Sequence, residues 1–81
     1  MIRLDGKVAI VTGGAQGVGG GISRCLAKAG AKVLIADIDI KTAEDTTKEI
    51  IASGSEASAL KVDVTSFDDL KNMVAIAQSK R

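Results

Sequence analysis

Two hydrophobic periods alternate along the chain. Short runs of β-branched and other apolar residues are typical of buried strands, and each run is followed by apolar residues that recur every three or four positions, as on one face of a helix. The pattern predicts three strands and three helices in alternation. The predicted strands span residues 8–11, 32–37 and 57–64. The predicted apolar helix positions are Val18, Ile22, Cys25, Leu26 and Ala29, then Ala43, Thr47, Ile50 and Ile51, and finally Phe67, Leu70, Met73, Val74 and Ala77.

Polar residues and glycines between these segments predict where the helices begin and end. Gly30 and Gly54 follow the first two helices, where a glycine commonly ends a helix in the left-handed region. Asp39 precedes the second helix, and Thr65 or Ser66 precedes the third, as N-caps. Three successive βα units imply parallel strands with helical crossovers. The predicted fold class is therefore α/β, a doubly wound parallel sheet of which the chain supplies the first three βα units.

Composition narrows the chemistry that the chain can carry. It has one cysteine and no histidine or tyrosine, so a zinc finger, an Fe–S cluster and a Ser-His-Asp centre are excluded, and we predict no metal site. A net charge of +1 and a single aromatic residue argue against nucleic acid as a partner. No apolar run is long enough to span a membrane, and the first residues lack a signal peptide's apolar stretch. We expect a cytoplasmic protein.

The segment that joins the first strand to the first helix is rich in glycine. It does not fit G-x-G-x-x-G, but Thr12, Gly13, Gly17 and Gly19 fit T-G-x-x-x-G-x-G. Gly13 allows a sharp turn, and the missing Cβ atoms at Gly17 and Gly19 would let a pyrophosphate approach the backbone. The amides of Val18 and Gly19 would point at the phosphates, with the helix dipole behind them. A tight turn without a ligand is the alternative. No Gly-Lys-Ser/Thr follows, which argues against a P-loop hydrolase.

Three small residues within the first predicted helix carry structural expectations. Each glycine inside a helix costs about 0.5–1 kcal/mol relative to alanine. We expect Gly21 to allow close packing of the helix on a strand, and we assign no function to Gly20. Cys25 lies on the apolar stripe and is expected to pack in the core as a free thiol.

The glycine loop and its surroundings resemble the cofactor-binding part of the short-chain dehydrogenases/reductases. The resemblance rests on the opening at residues 4–14, the entry to the second strand at residues 29–33, and acidic residues at two strand ends. It runs from about residue 4 to about residue 75. It implies a nicotinamide dinucleotide as cofactor, bound by Gly13, Gln16, Gly17, Val18, Gly19, Asp37, Asp63 and Val64.

Asp37 bears on the choice of cofactor. It ends the second strand, twenty residues after Gly17, where an acid can accept hydrogen bonds from the ribose hydroxyls and repel a 2′-phosphate. Relatives that use NADP tend to carry a basic residue at the position of Gln16 or Ile38, and neither is basic here. We therefore expect NAD rather than NADP. The alternative is that Asp37 is only a strand-end or capping acid, although Asp39 is the better placed cap.

The resemblance also implies roles for Asp63 and Val64. The Asp63 carboxylate would accept from the adenine amino group, and the backbone of Val64 would lie along the ring. The alternative is that Asp63 only caps the turn before Ser66.

The catalytic part of the family pattern is missing from these 81 residues. The resemblance implies an Asn-Asn-Ala-Gly segment after a fourth strand, then a catalytic serine and a Tyr-x-x-x-Lys pair, so no residue here is assigned a catalytic role. Without a fourth strand, the first strand would be a bare apolar edge. We expect residues 1–81 to be the N-terminal fragment of a single NAD-binding domain. The whole oxidoreductase would transfer hydride between NAD and a small alcohol or ketone, and such relatives would form homo-oligomers. The alternative is a non-catalytic truncated product that binds adenine nucleotides weakly or serves as an interaction module.

Overall fold

Three strands alternate with three helices, as the hydrophobic pattern predicts. The structure is a computed structural model, and it describes residues 5–13 and 17–80. The elements are β1 (Val8–Thr12), α1 (Gly17–Lys28), β2 (Lys32–Asp37), α2 (Ile40–Ala52), β3 (Ala57–Lys61) and α3 (Phe67–Ser79).

The strands form one parallel sheet in the order β1-β2-β3. Val8 pairs with Lys32, and Val33 pairs with Ala57. The central strand β2 is an unbroken apolar run because both faces of the sheet are covered there, and its residues 33–36 are at most 1% exposed. Within the described ranges β1 is an edge strand, so the prediction of an open apolar edge is confirmed. The side chain of Ile10 on this edge is 37% exposed.

Two apolar clusters lie on the two faces of the sheet. Successive side chains of β2 point to opposite faces, so Val33 and Ile35 enter one cluster while Leu34 and Ala36 enter the other. The first cluster also holds Val11, Ala27, Ala31, Ala43 and Ile50, from β1, α1, α2 and the turn before β2. The second also holds Val62, which follows β3, and Met73 and Ala77 of α3, so α3 covers the other face. This arrangement is the doubly wound α/β architecture that the sequence predicts.

The N-caps of two helices match the sequence. The side chain of Asp39 accepts a hydrogen bond from the amide of Thr42 and caps α2. The side chain of Ser66 accepts from the amide of Asp69 and caps α3, so Ser66 rather than Thr65 is the N-cap. Both bonds satisfy amides that have no intrahelical partner.

Glycines end the first two helices. Gly30 has φ +105° and Gly54 has φ +94°, as predicted for positions just beyond a helix. The amide of Ala31 donates to the oxygen of Leu26 across the first of these turns, over 3.1 Å. A Cβ atom at Gly30 would also overlap the carboxylate of Asp5, so this turn requires glycine for two reasons.

α1 meets the sheet through a different face from the one that its apolar residues predict. Val18 is 83% exposed, Ile22 is 47% exposed, and Cys25 is exposed. The prediction that Cys25 packs in the core is therefore wrong. The residues of α1 that are buried are Gly20, Ser23 and Ala27.

Small side chains explain which face of α1 is buried. Positions 20, 23 and 27 share one helix face, and their small side chains let the helix backbone lie close to the sheet. The hydroxyl of the fully buried Ser23 donates to the main-chain oxygen of Gly19 over 3.0 Å, so this buried polar group has a hydrogen-bond partner. The packing role expected of Gly21 is also wrong, because a Cβ atom there would meet nothing within 4 Å. The glycine of α1 that is buried is Gly20.

β3 is shorter than predicted. It ends at Lys61 rather than at residue 64, although the amide of Val62 still donates to the oxygen of Asp37 over 3.0 Å. Beyond Val62, the chain turns toward the N-terminus of α3. None of the helices in the part of the chain that the structure describes is long and apolar enough to cross a membrane.

Candidate functional site

The candidate site lies at the carboxyl ends of the three parallel strands. Ligands of open α/β sheets bind at this edge, outside the strand ends. A cavity of about 410 Å³ opens there. It is lined by Gly13, Ala36, Asp37, Ile38, Val62, Asp63 and Val64. The fold therefore brings together the predicted site residues from all three strand ends, which are far apart in the sequence.

Two larger cavities do not contain the predicted residues. One, of about 510 Å³, lies near the amino ends of β2 and β3, where Lys32 and Ser58 border it. The other, of about 530 Å³, lies between α1 and α2, where Arg24 and Glu49 form an ion pair of 2.9 Å. The cavity of 410 Å³ is the candidate site because it lies at the carboxyl ends of the strands and has two carboxylates in its wall. The size of a cavity alone does not identify a ligand site.

The described ends of the turn from β1 into α1 are two glycines with positive φ, Gly13 and Gly17. Gly13 has φ +65°, and its amide donates to the oxygen of Ala36 over 2.8 Å. Gly17 begins α1 with φ +59°, and a Cβ atom there would meet no described atom within 4 Å. Val18 and Gly19 follow in the first turn of α1, whose amides lack intrahelical partners. Gln16 lies outside the described residues.

Asp37 is the last residue of β2 and is held by the next turn. Its Oδ1 accepts a hydrogen bond from the amide of Asp39, over 3.0 Å. Because Asp39 is the N-cap of α2, the helix start fixes the side chain of Asp37 at the wall of the cavity. Lys61 of β3 is the register partner of Asp37, a cation that sequence reasoning missed, but it does not line the cavity.

Asp63 is held by the turn before α3. Its Oδ1 accepts from the amide of Thr65 over 2.9 Å and from the hydroxyl of Thr65 over 2.6 Å. These bonds lower the pKa of Asp63 below its usual value, so the group is an anion at neutral pH. Asp63 therefore does cap the turn before Ser66, as the alternative interpretation predicted. Among the described residues this turn uses only Oδ1, which leaves Oδ2 for a ligand.

The rest of the cavity wall is apolar. Ala36, Ile38, Val62 and Val64 line it, with the two carboxylates as its polar groups. Flat apolar walls with a few placed polar groups are typical of small-molecule sites. Sequence analysis did not assign Ala36, Ile38 and Val62 to the wall, because they are simply the neighbours of the predicted residues along the chain.

A further residue near the cavity, Asp69, was missed. Its Oδ2 accepts from the amide of Asp63 over 3.0 Å. The signal that could have found it is the spacing of Ser66 and Asp69, which resembles the capping box S/T-x-x-E with a shorter acid at its last position.

The fold and the site define the class: an open, doubly wound α/β unit with a glycine turn after its first strand. The sequence profile of the short chain dehydrogenase family matches residues 7–81, and the chain belongs to that family.

Individual relatives agree with the family match. The chain is 50% identical over 80 residues to the sex determination protein tasselseed-2 of Zea mays, which covers 96% of this chain and 22% of that protein. It is 40% identical over 79 residues to the 7α-hydroxysteroid dehydrogenase of Escherichia coli K12, which covers 98% of this chain and 31% of that protein. The chain thus spans about a fifth to a third of the length of these curated relatives.

Solved structures match the whole fold. One is a 7α-hydroxysteroid dehydrogenase complexed with NADH and 7-oxo glycochenodeoxycholic acid. It superimposes with a TM-score of 0.92 at 41% identity, over 96% of this chain and 31% of that one. The resemblance found in the sequence is therefore confirmed at the level of family and fold.

Proposed function

We propose that residues 1–81 form the N-terminal part of an NAD-binding domain and hold the adenosine and pyrophosphate of NAD. The whole protein would be an oxidoreductase that acts on an alcohol or a ketone. The observation that carries this proposal is the cavity at the strand ends, where Gly13, Asp37 and Asp63 meet. Membership of the short chain dehydrogenase family supports it, and so does the structural neighbour that is complexed with NADH.

The residues around the cavity fit the adenosine half of a dinucleotide. Gly13 and Gly17 both have positive φ, and no described atom lies within 4 Å of a Cβ atom placed on Gly17, so a pyrophosphate could approach the backbone there. The amides of Val18 and Gly19 would donate to the phosphates, and Gln16 would border them. Asp37 would accept from the ribose, Asp63 from the adenine amino group, and the backbone of Val64 would lie along the ring.

The reacting end of the cofactor needs residues other than these. A bound dinucleotide would supply hydride transfer to or from a substrate carbon. Residues 1–81 contain no tyrosine to exchange the hydroxyl proton, so their task is to bind and orient the cofactor.

Preference for NAD over NADP follows from the charges at the cavity. A 2′-phosphate would place nearly two negative charges beside the carboxylate of Asp37. Two unit charges of like sign at 4 Å repel by about 4 kcal/mol at an effective dielectric constant near 20. Solvent and side-chain rotation reduce this to a net discrimination of about 2–3 kcal/mol, or roughly 30- to 150-fold. Among the residues that the structure describes, no lysine or arginine lines the cavity to offset the repulsion.

Calorimetric titration with parts of the cofactor tests the proposal. We expect NAD and ADP-ribose to bind, and nicotinamide mononucleotide to give no heat of binding, because the site holds the adenosine half. Binding of nicotinamide mononucleotide as tightly as NAD would contradict the proposal. So would a folded protein that binds neither NAD nor ADP-ribose.

A second candidate function rests on the exposed edge of β1. A groove of about 220 Å³ runs beside it, lined by Val8, Ile10, Val74, Ala77 and Gln78. Exposed apolar edges pair with other strands, which supports an interaction module that binds nucleotide without catalysis. Reading the coding frame past Arg81 separates the two candidates. Asn-Asn-Ala-Gly and Tyr-x-x-x-Lys downstream would favour the dehydrogenase, and an immediate stop codon would favour the interaction module.

A further inference from the structure

The backbone of Asp63 is not held by the sheet. β3 ends at Lys61, and the last bond between β2 and the following chain is made by the amide of Val62 to the oxygen of Asp37. Alternate amides of a parallel strand face the neighbouring strand, so the amide of Asp63, next to that of Val62, points away from β2 and needs an acceptor outside the sheet.

Asp69 supplies that acceptor. Its Oδ2 lies 3.0 Å from the amide nitrogen of Asp63 in a partly buried position. Asp69 is itself fixed, because its own amide donates to the hydroxyl oxygen of the N-cap Ser66 over 3.3 Å. A hydrogen bond to an ionised carboxylate is stronger than one to a neutral acceptor, so this bond fixes the backbone from which the Asp63 side chain projects.

Thr65 binds the side chain of Asp63. Its amide and hydroxyl both bind Oδ1 of Asp63, while Asp69 binds the amide of the same residue. The side chain and the backbone of Asp63 are therefore fixed by two different residues of the turn into α3.

We propose that Asp69 is a positioning residue for adenine recognition: by holding the amide of Asp63, it aims the Asp63 carboxylate at the adenine amino group. This inference rests on the proposed function, which puts adenine beside Asp63. Asp69 does not line the cavity, so it acts only through Asp63.

The neighbouring Asp68 provides a matched control. It is an exposed aspartate in the same first turn of α3, with the same charge near the helix N-terminus. The bond to the Asp63 amide comes from Asp69. Asp68→Ala therefore removes the helix-dipole effect of one carboxylate and leaves that bond in place.

The test compares NAD with nicotinamide hypoxanthine dinucleotide, which has an oxygen in place of the adenine amino group. We expect the native protein to favour NAD by about tenfold or more, because the carboxylate would face the carbonyl oxygen at position 6, while the N–H of hypoxanthine lies at the neighbouring N1. Asp69→Ala is expected to reduce this preference by about three- to tenfold. Asp69→Asn, which keeps an acceptor oxygen, should retain most of the preference, and Asp68→Ala should retain all of it. Calorimetry measures both dissociation constants, and circular dichroism checks the fold of each variant.

The outcomes distinguish a failure of the proposed contact between Asp63 and adenine from a failure of the positioning role of Asp69. If Asp63→Ala leaves the preference for NAD unchanged, the proposed contact between Asp63 and adenine fails. If Asp63→Ala abolishes the preference while Asp69→Ala leaves it unchanged, only the positioning role of Asp69 is overturned.

Hydrogen exchange in the native protein provides a second measurement, which does not depend on a variant that folds. We expect the amide of Asp63 to exchange slowly although it lies beyond the sheet. Exchange as fast as in a solvent-exposed amide would overturn the proposal.

Discussion

The amide of Val62 donates a hydrogen bond to the main-chain oxygen of Asp37 over 3.0 Å. This bond continues the pairing of β2 with the third strand by one residue and ties the two strand ends together. Because Asp63 follows Val62 directly, the bond places Asp37 and Asp63 at one cavity. The proposed recognition of ribose and adenine depends on this arrangement.

Charge reversal at the end of β2 should change the preference between cofactors. The double variant Asp37→Ser with Ile38→Arg removes the repelling carboxylate and adds a cation at the cavity wall. We expect the preference for NAD that we propose for the native protein, roughly 30- to 150-fold, to be abolished or reversed. Dissociation constants for NAD and NADP, measured by calorimetry, give the ratio. Asp45→Ser on the exposed side of α2 is the control and should keep the native ratio. A double variant that still favours NAD would show that Asp37 does not contact the ribose.

A side chain at Gly17 should block the phosphate position. Gly17→Val places a branched residue at φ +59° and fills the open space in front of α1. We expect the affinity for NAD to fall by more than about tenfold, or about 1.4 kcal/mol. The control is Gly21→Ala, whose Cβ atom also meets open space but lies within the helix. It should keep the native affinity and stabilise the fold by about 0.5–1 kcal/mol. Unchanged affinity in a folded Gly17→Val protein would mean that the glycine serves only the turn.

The starts and ends of the helices are determined by short-range interactions. Asp39 and Ser66 begin their helices, and Gly30 and Gly54 follow the ends of theirs, through bonds within a few residues, so the sequence alone predicted them. The buried face of α1 could not be found in this way, because the sheet accepts the small residues Gly20, Ser23 and Ala27 and leaves Val18 exposed. A helical wheel identifies the apolar face of a helix, whereas close packing on a sheet depends on side-chain size.

The candidate site was predictable to a similar extent. Asp37 was proposed from its place at a strand end and Asp63 from the family resemblance, and the topology brings the two residues to one cavity. The end of β3 was misplaced because the chain leaves the sheet to bond with the α3 N-terminus. Asp69 was missed because its partner is a backbone amide, which a sequence pattern does not show.

Leucine substitutions at two nearby positions of α1 should differ in their effect on stability. Ser23 is fully buried, and Ser23→Leu should destabilise the protein by about 1–3 kcal/mol through overpacking. Cys25→Leu should change the stability by less than about 0.5 kcal/mol, because this position is exposed. Urea unfolding measures both. A larger loss for Cys25→Leu than for Ser23→Leu would reverse the assignment of the buried face.

Two carboxyl groups make the stability of the fold depend on pH in the acidic range. The hydroxyl and the amide of Thr42 lower the pKa of Asp39, and those of Thr65 lower the pKa of Asp63. A lowered folded-state pKa contributes stability that is present above the unfolded-state value of about 4 and is lost as pH falls through the folded-state value. Thr42→Val should raise the pKa of Asp39 and weaken this loss in acid. Carboxyl-carbon NMR titration measures the pKa, and the same value in variant and native protein would disprove the role of Thr42.

Chemical-shift mapping tests the location of the site most directly. The amide resonances of ¹⁵N-labelled protein are followed while NAD is added. The account predicts that the largest shifts fall at the strand ends, at Gly13, Asp37 and Asp63. Shifts confined to the opposite edge of the sheet, at Ser55 and Glu56, or no shifts at all in the folded protein, would contradict it.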